Sequence, residues 1–190
     1  DITGDIDLRA YVALDSWKPA VNSTLISKWT SSGNQRSYIL RINSSTGIPA
    51  VFISANGSTS NQVNATVAPT IADGAPLWIR ATVDVDNGAS GNTVTFFTST
   101  DGNTWTQLGT PVVSAGTTSF FSGSANVEIG THSGLQADFS AGKFYRAQIL
   151  NGIDGTTVLD VNIATDYKAA NLNEFTATTG QLVTVNGVAG

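Results

Sequence analysis

The sequence predicts an all-β fold, an antiparallel two-sheet β-sandwich with a jelly-roll arrangement. Three observations lead to this prediction. Hydrophobic residues recur with a period of two rather than 3.6, which is the period of a strand with one buried face. The runs are short and rich in β-branched and aromatic residues. Pairs that favour tight turns, such as Asn56-Gly57, Asp73-Gly74 and Asp101-Gly102, lie between them.

Two runs show the alternation most clearly. From Ile6 to Leu14 every second residue is apolar, while Asp5, Asp7, Arg9 and Tyr11 take the other phase. We expect Asp5 and Asp7 to lie on a solvated strand face. The segment 77–85 alternates in the same way. Shorter predicted strands are 25–29, 37–42, 50–55, 62–67, 93–99, 104–108, 127–130, 143–150, 158–162 and 181–185, and the one weak helical candidate is 165–172.

Length and composition predict a single domain over residues 1–190, with a core that needs no disulfide bonds. The chain has 190 residues, 41% of them hydrophobic and none of them cysteine. It begins with Asp1 rather than methionine, so we expect a piece that was excised or processed from a longer chain.

Charge and the length of the apolar runs argue against two classes of partner, nucleic acids and membranes. The net charge is −5 and the basic residues do not cluster, whereas nucleic-acid binding requires a cationic surface. No apolar run reaches the roughly 20 residues of a membrane-spanning helix, so we expect no membrane insertion.

Few residues are suited to catalysis, and we expect no enzymatic activity. Glycoside hydrolysis usually requires two carboxylates across the scissile bond, but the only glutamates, Glu128 and Glu174, are far apart in sequence. The single histidine, His132, has no Gly-x-Ser-x-Gly nucleophile motif to serve. A hydrolase would have to draw its pair from Asp84, Asp86 and Asp138, and this is the weakest of our alternatives.

The same three aspartates form the candidate metal site, for calcium. Asp84 and Asp86 alternate at a strand end, where calcium accepts carboxylate and backbone oxygens, and Asp138 could join them from a later loop. The alternative, which we favour, is a turn in which these side chains bond their own backbone. No other cofactor is predicted.

Aromatic residues are the candidates for glycan recognition, because the apolar faces of sugar rings stack on them. Trp17 looks loop-borne, and Trp29 ends a strand near Asn34 and Arg36. These four residues form the candidate ligand site, although burial is the commoner fate of any single tryptophan. Three further aromatics, Trp78, Tyr11 and Tyr145, fall out of phase with their inward-facing neighbours.

One short segment resembles a known turn motif. Residues 99–105, Ser-Thr-Asp-Gly-Asn-Thr-Trp, resemble the Asp-box hairpin of sialidases shortened by one residue. There the aspartate bonds the turn backbone and the aromatic residue packs beneath it. The segment therefore predicts a rigid hairpin.

Longer segments resemble a family across nearly the whole chain. They are 2–8 with 13–17, 26–29 with 34–38, 77–84 with 95–105, and 142–147 with 151–155. Together these segments resemble the concanavalin A-like, laminin-G-like (LamG-like) jelly rolls of tailed-phage structural proteins. The glutamate–aspartate–glutamate triplet of the glucanases that share this fold is absent.

The resemblance implies a non-enzymatic module on the virion exterior, as a capsid decoration or a tail-associated domain. Its partners would be other virion proteins, with weak binding of host cell-surface glycans. The alternative is a dedicated carbohydrate-binding module. Fold alone does not decide between them, since one fold hosts many functions.

Overall fold

The structure is a computed structural model that describes residues 1–134, 137–167 and 173–186. Nearly all regular structure in these ranges is β-strand. The strands are β1 (Ile6–Leu14), β2 (Ser23–Thr30), β3 (Gln35–Ile42), β4 (Pro49–Ile53), β5 (Asn61–Asn64), β6 (Leu77–Asp84), β7 (Gly91–Ser99), β8 (Thr106–Gln107), β9 (Val112–Ala115), β10 (Val127–Ile129), β11 (Gly142–Asn151), β12 (Thr156–Asn162), β13 (Glu174–Thr176) and β14 (Leu182–Thr184).

Two antiparallel sheets form the sandwich and confirm the predicted jelly-roll fold. The seven-stranded sheet has the order β12-β11-β1-β6-β7-β8, and β9 also pairs with β7. The five-stranded sheet has the order β10-β2-β3-β4-β5, and β13 pairs with β14 in a separate hairpin. The central strand β1 pairs with β11 on one side and β6 on the other, although both are distant in sequence.

The core lies between the two sheets and comes from the alternation seen in the sequence. The apolar residues of β1, from Ile6 to Leu14, are almost completely buried. Residues of β6, β7 and β11 extend this layer, and residues of β2, β3 and β4 face it from the other sheet. The largest fully buried side chains are Phe96, Phe120, Ile6, Leu8, Leu14, Leu25, Ile26, Leu40, Ile42, Ile79, Ile149 and Val12.

Two strands, one α-helical turn and an unpredicted 3₁₀ turn (Ser32–Asn34) differ from the prediction. β9 and β13 were not predicted, because runs of four and three residues carry too little alternation to stand out. The helix α1 (Ile163–Asp166) is a single turn that starts before the predicted 165–172, and residues 168–172 of that prediction lie outside the described residues. Among the described residues, no helix is long and apolar enough to cross a membrane.

Candidate functional site

A row of aromatic rings crosses the outer face of the seven-stranded sheet, the face turned away from the core. Trp78 of β6 lies opposite Tyr11 of β1, and the two rings stack with centroids 5.2 Å apart and planes 13° from parallel. On the other side of β1, an irregularity in the register with β11 accommodates Tyr145. The centroid of Tyr145 lies 5.0 Å from that of Tyr11. Three strands thus contribute one aromatic surface.

The β7–β8 hairpin continues this row. Asp101 Oδ1 accepts bonds from the backbone N–H of Asn103 and of Thr104, both at 2.8 Å, and from the Ser99 hydroxyl at 2.8 Å. Trp105 then packs edge-on against Trp78, with centroids 6.0 Å apart. The rigid hairpin predicted from residues 99–105 is therefore confirmed.

Glycine at position 102 lets this hairpin lie directly on the aromatic row. Its φ is +76°, and a Cβ added there would come within 2.9 Å of ring atoms of Trp78. We expect Gly102→Ala to lower the free energy of unfolding by about 1–3 kcal/mol, because it adds overpacking to backbone strain. The matched control is Gly88→Ala, whose φ is +71° but whose added Cβ meets nothing within 4 Å. Equal losses in the two variants, measured by chemical denaturation, would contradict the close packing on Trp78.

A shallow depression of about 370 Å³ lies over the aromatic row. This volume is at the small end of the range of about 300–1,000 Å³ for small-molecule sites and suits a mono- or disaccharide. The floor is aromatic, and polar groups stand on both sides. The lining residues are Tyr11, Trp78, Thr100, Asp101, Tyr145, Arg146, Asn162 and Ala164.

The floor is exposed at the tyrosines rather than at the tryptophan. Trp78 is only 6% exposed, since Tyr11, Trp105 and the Gly102 turn cover it. Tyr11 and Tyr145 are half-buried. Both rings line the depression, so their exposed parts can make apolar contact with a sugar ring.

Arg146 stands at one wall with hydrogen-bonding capacity left over. Its Nε and Nη2 donate to Asp160 at 2.8 and 2.6 Å, and these bonds raise the pKa of the guanidinium against the effect of burial. Its side chain is 36% exposed, and no bond within the described part of the chain uses Nη1. The Asn162 side-chain amide likewise has no partner among the described residues. Both groups are suited to binding sugar hydroxyls.

A network of charged residues lies beside the depression and corrects the expectation that Asp7 is solvated. Asp7 is 0% exposed and accepts bonds from Arg9 at 3.0 and 2.7 Å and from Arg80 at 3.0, 3.2 and 2.8 Å. The turn after β11 folds over it, so that Asp154 pairs with Arg9 at 2.6 Å and with Arg80 at 2.8 Å. Trp105 covers both guanidinium groups, at 5.4 and 5.3 Å.

Two carboxyl groups of this face make the stability depend on pH. Backbone bonds from Thr104 and Asn103 lower the pKa of Asp101. At Asp154 burial alone would raise the pKa, but bonds and charges from Arg80 and Arg9 outweigh it and lower the pKa.

The pKa of each group is lower in the folded than in the unfolded state. Each group therefore adds to the free energy of unfolding above the unfolded pKa of about 3.9, and this contribution is lost as the pH falls through the folded pKa. We therefore expect the free energy of unfolding to decline below about pH 4, and to decline less steeply in Asp154→Asn. Denaturation curves measured from pH 7 to pH 2 test this. Identical slopes in the two proteins would contradict the role of Asp154.

Trp17 is part of the core, which corrects the expectation of a loop-borne stacking surface. It is 3% exposed and belongs to the central hydrophobic cluster. Its backbone N–H donates to Asp73 at 2.7 Å and its indole N–H to the carbonyl of Ala75 at 3.2 Å. The loop folds over the end of the sandwich, so the ring presents no face to a ligand.

Trp29 and Arg36 face each other across β2 and β3 of the five-stranded sheet, and Asn34 lies in the 3₁₀ turn before β3, but no open aromatic face results. Trp29 is 6% exposed, packs edge-on against Phe52 at 5.9 Å, and has the Arg36 guanidinium over its ring at 5.9 Å. The Arg36 side chain also donates to the carbonyl of Ser58. Asn34 is exposed, with a φ of 57°. The expected stacking on Trp29 is wrong because Arg36 and Phe52 already cover the ring.

The predicted calcium ligands do not come together. Asp84 accepts from the N–H of Asp86 at 3.2 Å, and Asp86 from that of Gly88 at 3.2 Å, which is the self-bonded turn we favoured. Asp138 pairs instead with Arg41 at 3.3 Å and lies 3.5 Å from His132. Across residues 1–134, 137–167 and 173–186, no three acidic or histidine side chains form a group able to hold a metal ion.

A larger cleft of about 1,350 Å³ lies at the edge of the sandwich beside β10, β12 and the β13–β14 hairpin. Much of its lining is aliphatic, and several apolar side chains there are partly exposed. These are Val127 at 40%, Phe139 at 58%, Val158 at 38% and Leu182 at 66%. The cleft thus exposes apolar surface at this edge of the sandwich.

The candidate ligand site predicted from the sequence did not include the residues that line this depression, among them Tyr11, Tyr145, Asp101, Arg146 and Asn162. The available signal was the phase of Tyr11, Tyr145 and Trp78, which points them away from the core. That signal does not show that the three strands are neighbours.

The comparisons with known proteins identify the fold. The sequence matches no protein family and no curated protein. Among solved structures, the CBM40 of the Ruminococcus gnavus IT-sialidase bound to α2,3-sialyllactose has a TM-score of 0.57 at 14% identity, covering 80% of this chain and 78% of that one. The heptameric SAP-like pentraxin of Limulus polyphemus has a TM-score of 0.53 at 11% identity, covering 98% and 82%.

A phage protein is also among the structural matches. Tailspike protein 2 of the Escherichia coli O157:H7 bacteriophage CAB120 has a TM-score of 0.47 at 12% identity, covering 79% of this chain and 20% of that one. The likenesses to the CBM40 and to the pentraxin, at 14% and 11% identity, show a shared jelly-roll fold alone.

Proposed function

We propose that this jelly-roll domain is a non-catalytic carbohydrate-binding module whose ligand occupies the depression on the outer face of the seven-stranded sheet. The observation that carries the proposal is the open tyrosine floor with hydrogen-bonding groups on both sides. A sugar unit would place the apolar face of its ring on Tyr11 and Tyr145. Its hydroxyls would bond to Arg146, Asn162 and Asp101.

The structural neighbours support binding of glycans by this fold. The same Ruminococcus gnavus module has also been solved bound to α2,6-sialyllactose, with a TM-score of 0.51 at 18% identity. Because function resides in the site rather than in the fold, the proposal of glycan binding for this chain depends on the depression that its own residues form.

The absence of catalysis belongs to the proposal as well. Hydrolysis with two carboxylates requires them about 5–9 Å apart across the bond. Asp101 is the one carboxylate among the described residues that line the depression. Its low pKa keeps it ionised near neutral pH, which does not suit a general acid.

A glycan array probed with the purified domain tests the proposal. We expect reproducible binding to a subset of the glycans, with the glycans left intact after prolonged incubation. A blank array would contradict carbohydrate binding. Release of free sugar from a bound glycan would contradict the non-catalytic assignment.

We further propose that the domain is carried on the exterior of a phage particle, where the apolar cleft beside β10 and β12 contacts other virion proteins. The resemblance of the sequence to phage jelly rolls and the exposed side chains of that cleft support this placement. Antibodies against the domain are expected to label intact particles. Labelling only after the particles are disrupted would contradict an exterior position.

A further inference from the structure

We infer that the depression selects uncharged sugar units and discriminates against acidic ones such as sialic acids and uronic acids. The inference rests on the proposed function, because it names the ligand class of the same site. It follows from the ion pairs and hydrogen bonds that the charged groups at and beside the depression already form within the protein.

Two arginines of this face are not available to an acidic sugar. Arg9 and Arg80 both bond to the buried Asp7 and pair with Asp154. The Arg80 side chain is 5% exposed and that of Arg9 is 13% exposed, and the Trp105 ring lies against both. Neither residue lines the depression. Their positive charges are therefore neutralised within the protein.

Arg146 is the one cationic side chain among the described residues that line the depression, and it is already paired. Its partner Asp160 is only 6% exposed. Asp160 thus offsets the charge of Arg146, and the pair as a whole offers no net positive charge to an acidic ligand. A sugar hydroxyl needs only one further N–H from Arg146 and leaves the pair with Asp160 intact.

Asp101 stands at the opposite wall and adds a negative charge. It is exposed, and its Oδ1 is held by two backbone N–H groups and by Ser99. These bonds also keep it ionised. A sugar hydroxyl can donate to this carboxylate, whereas a sugar carboxylate would be repelled by it.

The local charge balance thus disfavours anions. Around the depression Arg146 contributes +1, while Asp160, Asp101 and Asp166, whose charge also acts on Arg146, contribute −1 each, so the sum is −2. The net charge of the whole chain, −5, has the same sign. The fold that this chain shares with the sialyllactose-bound module does not carry over a site for a sialic acid carboxylate.

An array of matched pairs tests the inference. The members of each pair differ in one carboxyl group, as glycans that end in glucose or in glucuronic acid do, and α2,3-sialyllactose is paired with its uncharged methyl ester. Binding is measured near 0.01 M salt, where the Debye length of about 30 Å leaves the charges poorly screened. Within each pair, we expect the affinity of the acidic member to be lower than that of the neutral member by about tenfold or more.

The variant Asp101→Asn removes the charge while retaining an acceptor oxygen for the turn. We expect it to lower the affinity for neutral glycans by about tenfold, because a hydrogen bond to a charged group is lost. It should also reduce the difference in affinity between the neutral and the acidic member of a pair. The matched control is Asp86→Asn, another exposed turn aspartate, which should leave both affinities unchanged. Melting curves verify that both variants are folded.

Each outcome decides a different question. Equal or tighter binding of the acidic members would overturn the inference and leave carbohydrate binding standing. An unchanged difference in affinity between the members of a pair in Asp101→Asn would overturn the inference too. A blank array would overturn the proposed function, and this inference with it.

Discussion

The variant Asp7→Asn is expected to lower the free energy of unfolding by about 3–5 kcal/mol, because it removes the buried carboxylate that Arg9 and Arg80 share and leaves only Asp154 to offset their two charges. Asp7 is completely buried and bonds to Arg9, Arg80 and the backbone N–H of Asp154. Asparagine has nearly the same shape, so the loss reflects charge rather than packing. For a domain of 190 residues this corresponds to a melting temperature lower by about 10 °C.

The control and a second variant make this prediction specific. Asp86→Asn, at an exposed aspartate, should change the free energy of unfolding by less than about 0.5 kcal/mol. The double variant Asp7→Asn/Arg80→Gln should lose less than the sum of the single variants, because the two residues share one network. Equal stability of Asp7→Asn and Asp86→Asn, or strict additivity of the double variant, would contradict the network.

The variant Tyr145→Ala is expected to weaken glycan binding by about 30-fold, because a ring at the centre of a binding surface typically contributes about 2 kcal/mol. Tyr145 is half-buried and meets Tyr11 at one side, so its removal should leave the fold intact. Titration calorimetry with a glycan found on the array gives the affinity, and the melting temperature reports the fold.

Two controls separate stacking from other effects. Tyr145→Phe keeps the ring and should lose no more than about tenfold through the missing hydroxyl. Phe139→Ala removes an aromatic side chain that is 58% exposed and does not line the depression, and it should bind normally. Loss of binding in Phe139→Ala together with normal binding in Tyr145→Ala would place the site in the cleft instead.

Most of the fold follows from local sequence, because alternation is a property of neighbouring residues. The apolar phase of β1 and β6, together with the turn pairs between strands, predicts the sandwich. Burial at Trp17 does not follow in this way, since it depends on a loop that folds over the end of the core and bonds to Asp73. Asp7 is similar, because the turn that covers it carries Asp154, 147 residues further along.

The site could be predicted only in part for the same reason. The phase of Tyr11, Trp78 and Tyr145 predicts three aromatic rings on outer faces. Their assembly requires that β6 and β11 flank β1, which is a matter of long-range pairing. The rings of Trp29 and Trp17 are prominent in the sequence, yet their neighbours in space cover them.

The most direct test of the central claim is a map of backbone amide chemical shifts during titration with a glycan that binds on the array. If the depression is the site, the largest changes in chemical shift will occur around Tyr11 of β1, Trp78 of β6 and Tyr145 with Arg146 of β11. The amides of the Asp101 turn will also change. Changes centred on Trp29 and the five-stranded sheet, or on the cleft beside β10 and β12, would contradict this account.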